Sequence, residues 1–204
     1  DVAVAWKRYN SSTQKNEIKV ARRNSNNNWD IYSDGISGHT QVCKTFSAAP
    51  EFESKPRIFS LSSIISPTIN NTFFLIPHLE PASNGNKIVV TAAYLALNGD
   101  YVIDEGNITD FAVTAPYNSS FAEFNLYFTY KKDGKIFYKY LTIGYYENHF
   151  YAVNSSTPLE ISVGDANTAR NTPDISLRNG LPIVTYQGIL PMTRLYSIEE
   201  FGSS

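Results

Sequence analysis

The sequence predicts an all-β protein built from antiparallel hairpins, and three observations carry that prediction. Aromatic side chains are abundant, with 14 Tyr and 12 Phe among 204 residues, and such side chains pack well on a pleated surface. Short segments alternate apolar and polar residues with a period of two. Between several of them stand Asn-Gly or Asp-Gly pairs, whose ease at positive φ suits the tight turn of a hairpin. No segment shows a long amphipathic helical pattern, so helix content is expected to be small.

The elements follow in order. Val2, Val4 and Trp6 share one face of a strand reaching Tyr9, and a polar loop from Asn10 to Asn16 leads to a second strand, Glu17 to Arg22. The same plan returns at Lys87 to Leu97 and Tyr101 to Ile103, with Asn98-Gly99 as the expected turn. It returns again where Leu126, Phe128 and Tyr130 alternate with Tyr127 and Thr129, before Asp133-Gly134 turns the chain into Ile136, Tyr138 and Tyr140. A fourth copy runs from Pro173 through Ile175 and Leu177, turns at Asn179-Gly180 and continues as Ile183 to Tyr186. The stretches 33–56, 62–86 and 155–171 are rich in Ser, Asn, Pro and Gly and read as loops. Loops on a rigid scaffold are where function concentrates.

These segments form a loose repeat. Strands close on an aromatic residue, as in Val4-Ala5-Trp6, Phe128-Thr129-Tyr130 and Val184-Thr185-Tyr186, and twice a proline opens one, at Pro56 and Pro173. Proline fits there because the first residue of a strand needs no backbone donor. Similarity at roughly 40 to 60 residues, with several strands per unit, predicts antiparallel four-stranded blades of a β-propeller. The expected units span approximately 1–45, 56–108, 110–155 and 173–204. A ring of six to eight blades takes roughly 300 residues at about 45 per blade, so the expectation is part of a larger ring. A four-bladed ring and a β-sandwich are the alternatives.

Two segments carry a family resemblance. Pro173 to Gly188 resembles the Pro-x-Ile-x-Leu, Asn-Gly, Val-x-Trp/Tyr run that forms the inner strands of a blade in sialidase-like and BNR-type propellers. Ile18 to Trp29 resembles the following Asp-box strand, with Asn where the family prefers Asp and Gly. An Asp box is a structural turn, found on enzymes and binding modules alike. For a sialidase the resemblance implies an arginine cluster gripping the substrate carboxylate, an acid/base carboxylate and an activated Tyr. Arg57, in Pro56-Arg57-Ile58, lies near the family's opening arginine motif.

Composition narrows the function classes. The net charge is -2 without a basic stripe, so nucleic acid is not an expected partner. No run of 18 apolar residues is present, which predicts a chain that does not span a membrane. The first residues lack the charged start and cleavage site of a signal peptide, and the chain opens mid-strand as a mature or excised segment would. Cys43 is the single cysteine, so neither an internal disulfide nor a cysteine metal site is expected. His39, His78 and His149 are scattered, and no phosphate-cradling Gly-rich loop precedes a helix, so no metal or cofactor is expected.

Richness in Asn, Ser and Tyr suits an extracellular or cell-surface protein. Five Asn-x-Ser/Thr sequons, at Asn10, Asn70, Asn107, Asn118 and Asn154, are candidate N-glycosylation sites. The tyrosines exceed what a small core buries with every hydroxyl satisfied, so some are expected at the surface, where Tyr serves sugar or protein recognition. The expected function is therefore a non-catalytic extracellular module that recognises a glycan or a protein partner through its loops. Arg57, Tyr130, Tyr146, Arg178 and Tyr186 are the candidate binding residues. A sialidase-like glycoside hydrolase and a structural subunit of a cell-surface assembly are the rival readings.

Overall fold

A computed structural model describes residues 2–23, 41–66, 69–94, 97–116, 123–146, 149–162, 173–187 and 193–197. Its described elements are all β-strands, arranged in four antiparallel sheets whose strands follow one another in the chain. The first sheet is β1 (Val2–Asn10), β2 (Lys15–Arg23) and β3 (Gln41–Phe46). The second is β4 (Phe59–Ser66), β5 (Ile69–Ala82), β6 (Gly85–Tyr94) and β7 (Leu97–Gly106). The third holds β8 (Ile108–Thr114), β9 (Glu123–Lys132), β10 (Lys135–Tyr146) and β11 (His149–Ser155), with the short β12 (Leu159–Glu160) also on β10. The fourth is β13 (Asp174–Arg178), β14 (Leu181–Gln187) and β15 (Thr193–Ser197).

Contacts divide the chain into two compact units, 1–81 with 87–102, and 82–86 with 103–204. In the first unit, Ile18, Val20 and Cys43 of one sheet join Phe74, Ile76 and Ala93 of the next in a single core, with Phe46 and Phe52 edge-to-face at 6.1 Å. In the second unit, Ile136 and Tyr138 of β10 pack with Ile161 and with Ile175, Val184 and Tyr186 of the fourth sheet. Each fully buried aliphatic or aromatic side chain here contributes about 1.5–3 kcal/mol through removal from water.

Turn chemistry explains the best-defined hairpins. Asp133 and Gly134 have φ of 51° and 77°, and Asn179 and Gly180 have 53° and 81°, the paired left-handed conformations whose twist matches that of flanking strands. They fix the registers Lys132↔Lys135 and Arg178↔Leu181.

Four sequence expectations are corrected. The stretch 33–56, expected to be a loop, contains β3, which pairs with β2 and buries Cys43 and Phe46, and 155–171, also expected to be a loop, contains the short β12 on β10. Cross-strand pairing and burial there outweigh the local Ser, Asn and Pro content. The stretch 62–86, expected to be a loop, contains most of β4 and all of β5. Phe74 to Glu80 is buried without interruption, and a strand covered on both faces shows no alternation, so its Ser- and Asn-rich flanks dominate the pattern. The pair Asn98-Gly99 lies inside β7 rather than at a turn. The run Ile88 to Ala93 is fully buried and the Thr91 hydroxyl donates to Asp100 at 2.7 Å, tertiary contacts that hold Asp100 in the strand against the local turn preference. The Asp-box-like Asn24 to Trp29 lies outside the described residues.

Candidate functional site

The second unit holds a cavity of about 620 Å³ lined by tyrosines, within the usual range for small-ligand sites, about 300–1,000 Å³. Its floor follows from strand register. Tyr127 of β9 lies directly opposite Tyr140 of β10, and Asn125 opposite Thr142. Tyr138, two residues before Tyr140, shares that face because side chains alternate along a strand. Three tyrosines and an amide are thereby gathered on one face of a hairpin whose register the Asp133-Gly134 turn sets.

The walls come from two further segments. The backbone N–H of Tyr140 donates to Ser156 Oγ at 3.0 Å, and Ser156 N–H donates back to the Tyr140 carbonyl at 3.2 Å. Leu159 pairs with Tyr138, Ile161 N–H donates to the Ile136 carbonyl at 2.9 Å, and Lys135 bridges Glu160 at 2.9 Å. This strap holds Ser156, Thr157, Pro158 and Leu159 beside the tyrosines, while Leu181 and Pro182 enter from the start of β14.

All the polar groups of the lining are neutral. Asn125 Oδ1 accepts the Thr142 hydroxyl at 2.6 Å, leaving its amide N–H groups to donate elsewhere. The Tyr140 hydroxyl oxygen accepts from Asn154 Nδ2 at 3.1 Å and keeps its own hydrogen to donate. Burial pushes the Tyr127 phenol up, and nearby Tyr140 adds to the effect. The Tyr138 phenol is pushed up by burial and then by both neighbours. Tyr127 and Tyr138 therefore stay protonated donors at physiological pH.

The candidates named from sequence scatter. Tyr130 is 0% exposed, stacks on Phe137 at 5.7 Å, and gives its hydroxyl to Asp104 at 2.8 Å, so it works inside the core. It lies three residues from Tyr127 and hence on the other face of β9. Tyr186 is 5% exposed and donates to the Ile161 carbonyl at 3.3 Å. Tyr146 pairs with His149 at the end of β10, its side chain outside the described set. Arg57 and Arg178 are exposed and belong to different units.

Of the sequon residues, Asn107 and Asn154 are exposed. The Asn10 amide donates to Glu17 at 2.6 Å while its oxygen accepts from Ser12. Asn70 lies in β5 with its side chain undescribed, and Asn118 lies outside the described residues.

Sequence reasoning singled out none of the cavity as a site. Asn125, Pro158 and Pro182 carry no motif, although the pairing rule across Asp133-Gly134 places Tyr127 against Tyr140 from the sequence alone.

The first unit holds a charged cluster of a different kind. His78, 0% exposed, faces the Ile76 carbonyl with Nδ1 at 2.9 Å and Glu80 Oε1 with Nε2 at 3.0 Å. Both ring nitrogens thus face an oxygen, one of the backbone and one of a carboxylate. Glu80 also meets Lys44 at 3.4 Å and Lys87 at 3.2 Å, and Lys44 continues to Asp100. Burial raises the Glu80 carboxyl, but the His78 hydrogen bond and charge, followed by the lysines, outweigh it and hold the group down at about 2. Phe46 stacks over His78 at 6.1 Å, closing the cluster from one side. Among the described residues no group of three or more His, Cys, Asp or Glu is placed to hold a metal, and no helix is long and apolar enough to cross a membrane.

Comparison with protein-family models, with curated proteins and with solved structures finds no match to this chain.

Proposed function

We propose that this chain is a non-catalytic, extracellular binding module that takes its ligand in the tyrosine-lined cavity, on a scaffold of β-propeller blades. The cavity lining carries the reading. It combines apolar walls with convergent hydroxyls and an amide, the composition of a recognition site. It contains no Asp, Glu, His, Cys, Lys or Arg to act as an acid, base or nucleophile near neutral pH.

The blade reading draws support from the meander order of each sheet and from β9 and β10. Leu126, Phe128 and Leu141 are buried on one face of that pair, and Tyr138 and Ile136 on the other. Central strands of a blade, sandwiched by neighbours, have this double-sided burial.

The test uses a glycan array and a defined peptide library, each probed with the intact chain and with Tyr127→Ala. Binding to a member of either panel that Tyr127→Ala abolishes, with the variant's circular dichroism unchanged, is the expected result. Blank panels, or binding indifferent to Tyr127→Ala, would sink the proposal.

A further inference from the structure

Building on the proposed binding role, we infer that the cavity's ligand is an uncharged glycan, held by its ring face against Tyr127 and Tyr140 and by its hydroxyls on Asn125.

Charge is the first argument. Asn125, Tyr127, Tyr138, Tyr140, Ser156 and Thr157 supply every polar side chain of the lining, and all are neutral. A sialic or uronic acid would bring a carboxylate into a partly dehydrated site with no cation to meet it, and an unpaired charge moved out of water is costly. Basic peptides meet the converse problem, since no carboxylate waits for them.

Hydrogen-bond bookkeeping is the second. With its oxygen engaged by Thr142, the Asn125 amide presents donors, and Tyr140, accepting from Asn154, has its own hydrogen left to give. Tyr127 and Tyr138 make no hydrogen bond through their hydroxyls among the described residues, so each offers a donor and an acceptor. A ligand that fills this site must accept and donate at closely spaced points, which the vicinal hydroxyls of a sugar do. A proline-rich segment offers carbonyl acceptors alone and would leave the cavity's acceptor lone pairs unmatched, at the cost of burying unsatisfied polar atoms.

Shape is the third. Tyrosine rings with Pro158, Leu159 and Pro182 give flat apolar walls for the C–H face of a pyranose, while 620 Å³ leaves room for more than one sugar ring.

The experiment is a titration of the intact chain, followed by calorimetry and by NMR, with three probes. These are neutral oligosaccharides of glucose, galactose, mannose and N-acetylglucosamine, their sialylated or uronic counterparts, and a proline-rich peptide. At least one neutral oligosaccharide should bind, with affinity reduced about fivefold in Asn125→Ala and about threefold in Tyr127→Phe, the size of one neutral hydrogen bond in each case. Thr142→Val, which releases the Asn125 amide from its fixed orientation without entering the lining, should weaken binding while leaving the thermal midpoint near its original value.

Equal or tighter binding of the acidic sugars overturns the inference. So does peptide binding with the sugars silent, an outcome that leaves the binding-module reading standing. Silence from all three probes, together with blank wider panels, removes both. Neutral-sugar binding insensitive to Asn125→Ala and Tyr127→Phe places the ligand elsewhere and also overturns it.

Discussion

Acid sensitivity should be concentrated in the cluster around Glu80. The carboxyl is held at about 2 in the folded chain against an ordinary value of 4.5, an interval of about 2.5 pH units that corresponds to about 3 kcal/mol. Because the folded value is the lower one, this stabilisation is present in full above pH 4.5 and is lost as pH falls toward 2. The linkage relation puts about 2 kcal/mol of the loss before pH 3.

Replacing Glu80 by Gln removes the titrating group and leaves His78, Lys44 and Lys87 facing one another without their common anion. At pH 7 that should cost about 3–5 kcal/mol, the penalty for breaking a buried ion pair. Urea denaturation of both proteins at pH 7, 5, 4 and 3 measures the difference. Other carboxylates also titrate in this range, among them Asp104, which burial raises but Tyr130 and Lys132 bring down on balance. The readout is therefore the gap between the two proteins rather than either slope alone, and it should narrow by about 2 kcal/mol from pH 7 to pH 3. A gap constant across that range would refute the assignment of acid lability to Glu80.

Two further outcomes are expected. Cys43 is 2% exposed and burial pushes its thiol up to about 12, so a chromogenic disulfide reagent at pH 8 should leave the native chain unlabelled and react at the rate of unfolding. Rapid native labelling would contradict its placement in the core. Among glycines, Gly85→Ala should be severe, because φ is 120° and the new Cβ would sit 2.4 Å from the Gly106 carbonyl oxygen. Gly180→Ala meets nothing within 4 Å and should cost only the left-handed strain of about 1–2 kcal/mol. Equal melting temperatures for the two variants would show the Gly85 turn to be looser than described.

Where the sequence could be read, one local signal and one packing signal agreed. The segment Leu126 to Tyr140 alternates cleanly and has Asp-Gly at its centre, so strand, turn and register all follow from the residues. At β5 the two signals part. Burial on both faces erases the alternation, and the proline at position 77, whose carbonyl takes the Arg57 N–H at 2.9 Å, reads in sequence as a loop residue although it lies mid-strand.

The candidate site was legible only as material. An excess of tyrosine was plain, yet which ones face a cavity depends on the strap from Ser156 to Ile161 and on the start of β14, contributions that no spacing within β9 and β10 encodes. Tyr130 and Tyr186 are as aromatic as Tyr127 and Tyr140. What separates them is the face of the strand and the partner of the hydroxyl, both tertiary properties.

The meander order of the sheets bears on how the molecule is made. Among the described residues, each paired strand finds its partner close by in the chain, so these ladders can close without a distant segment. Such local topology lowers the loop-closure entropy that slows most β proteins. During synthesis, each sheet can zip up as its last strand clears the ribosome, and the strand edges that invite aggregation are then left open one at a time.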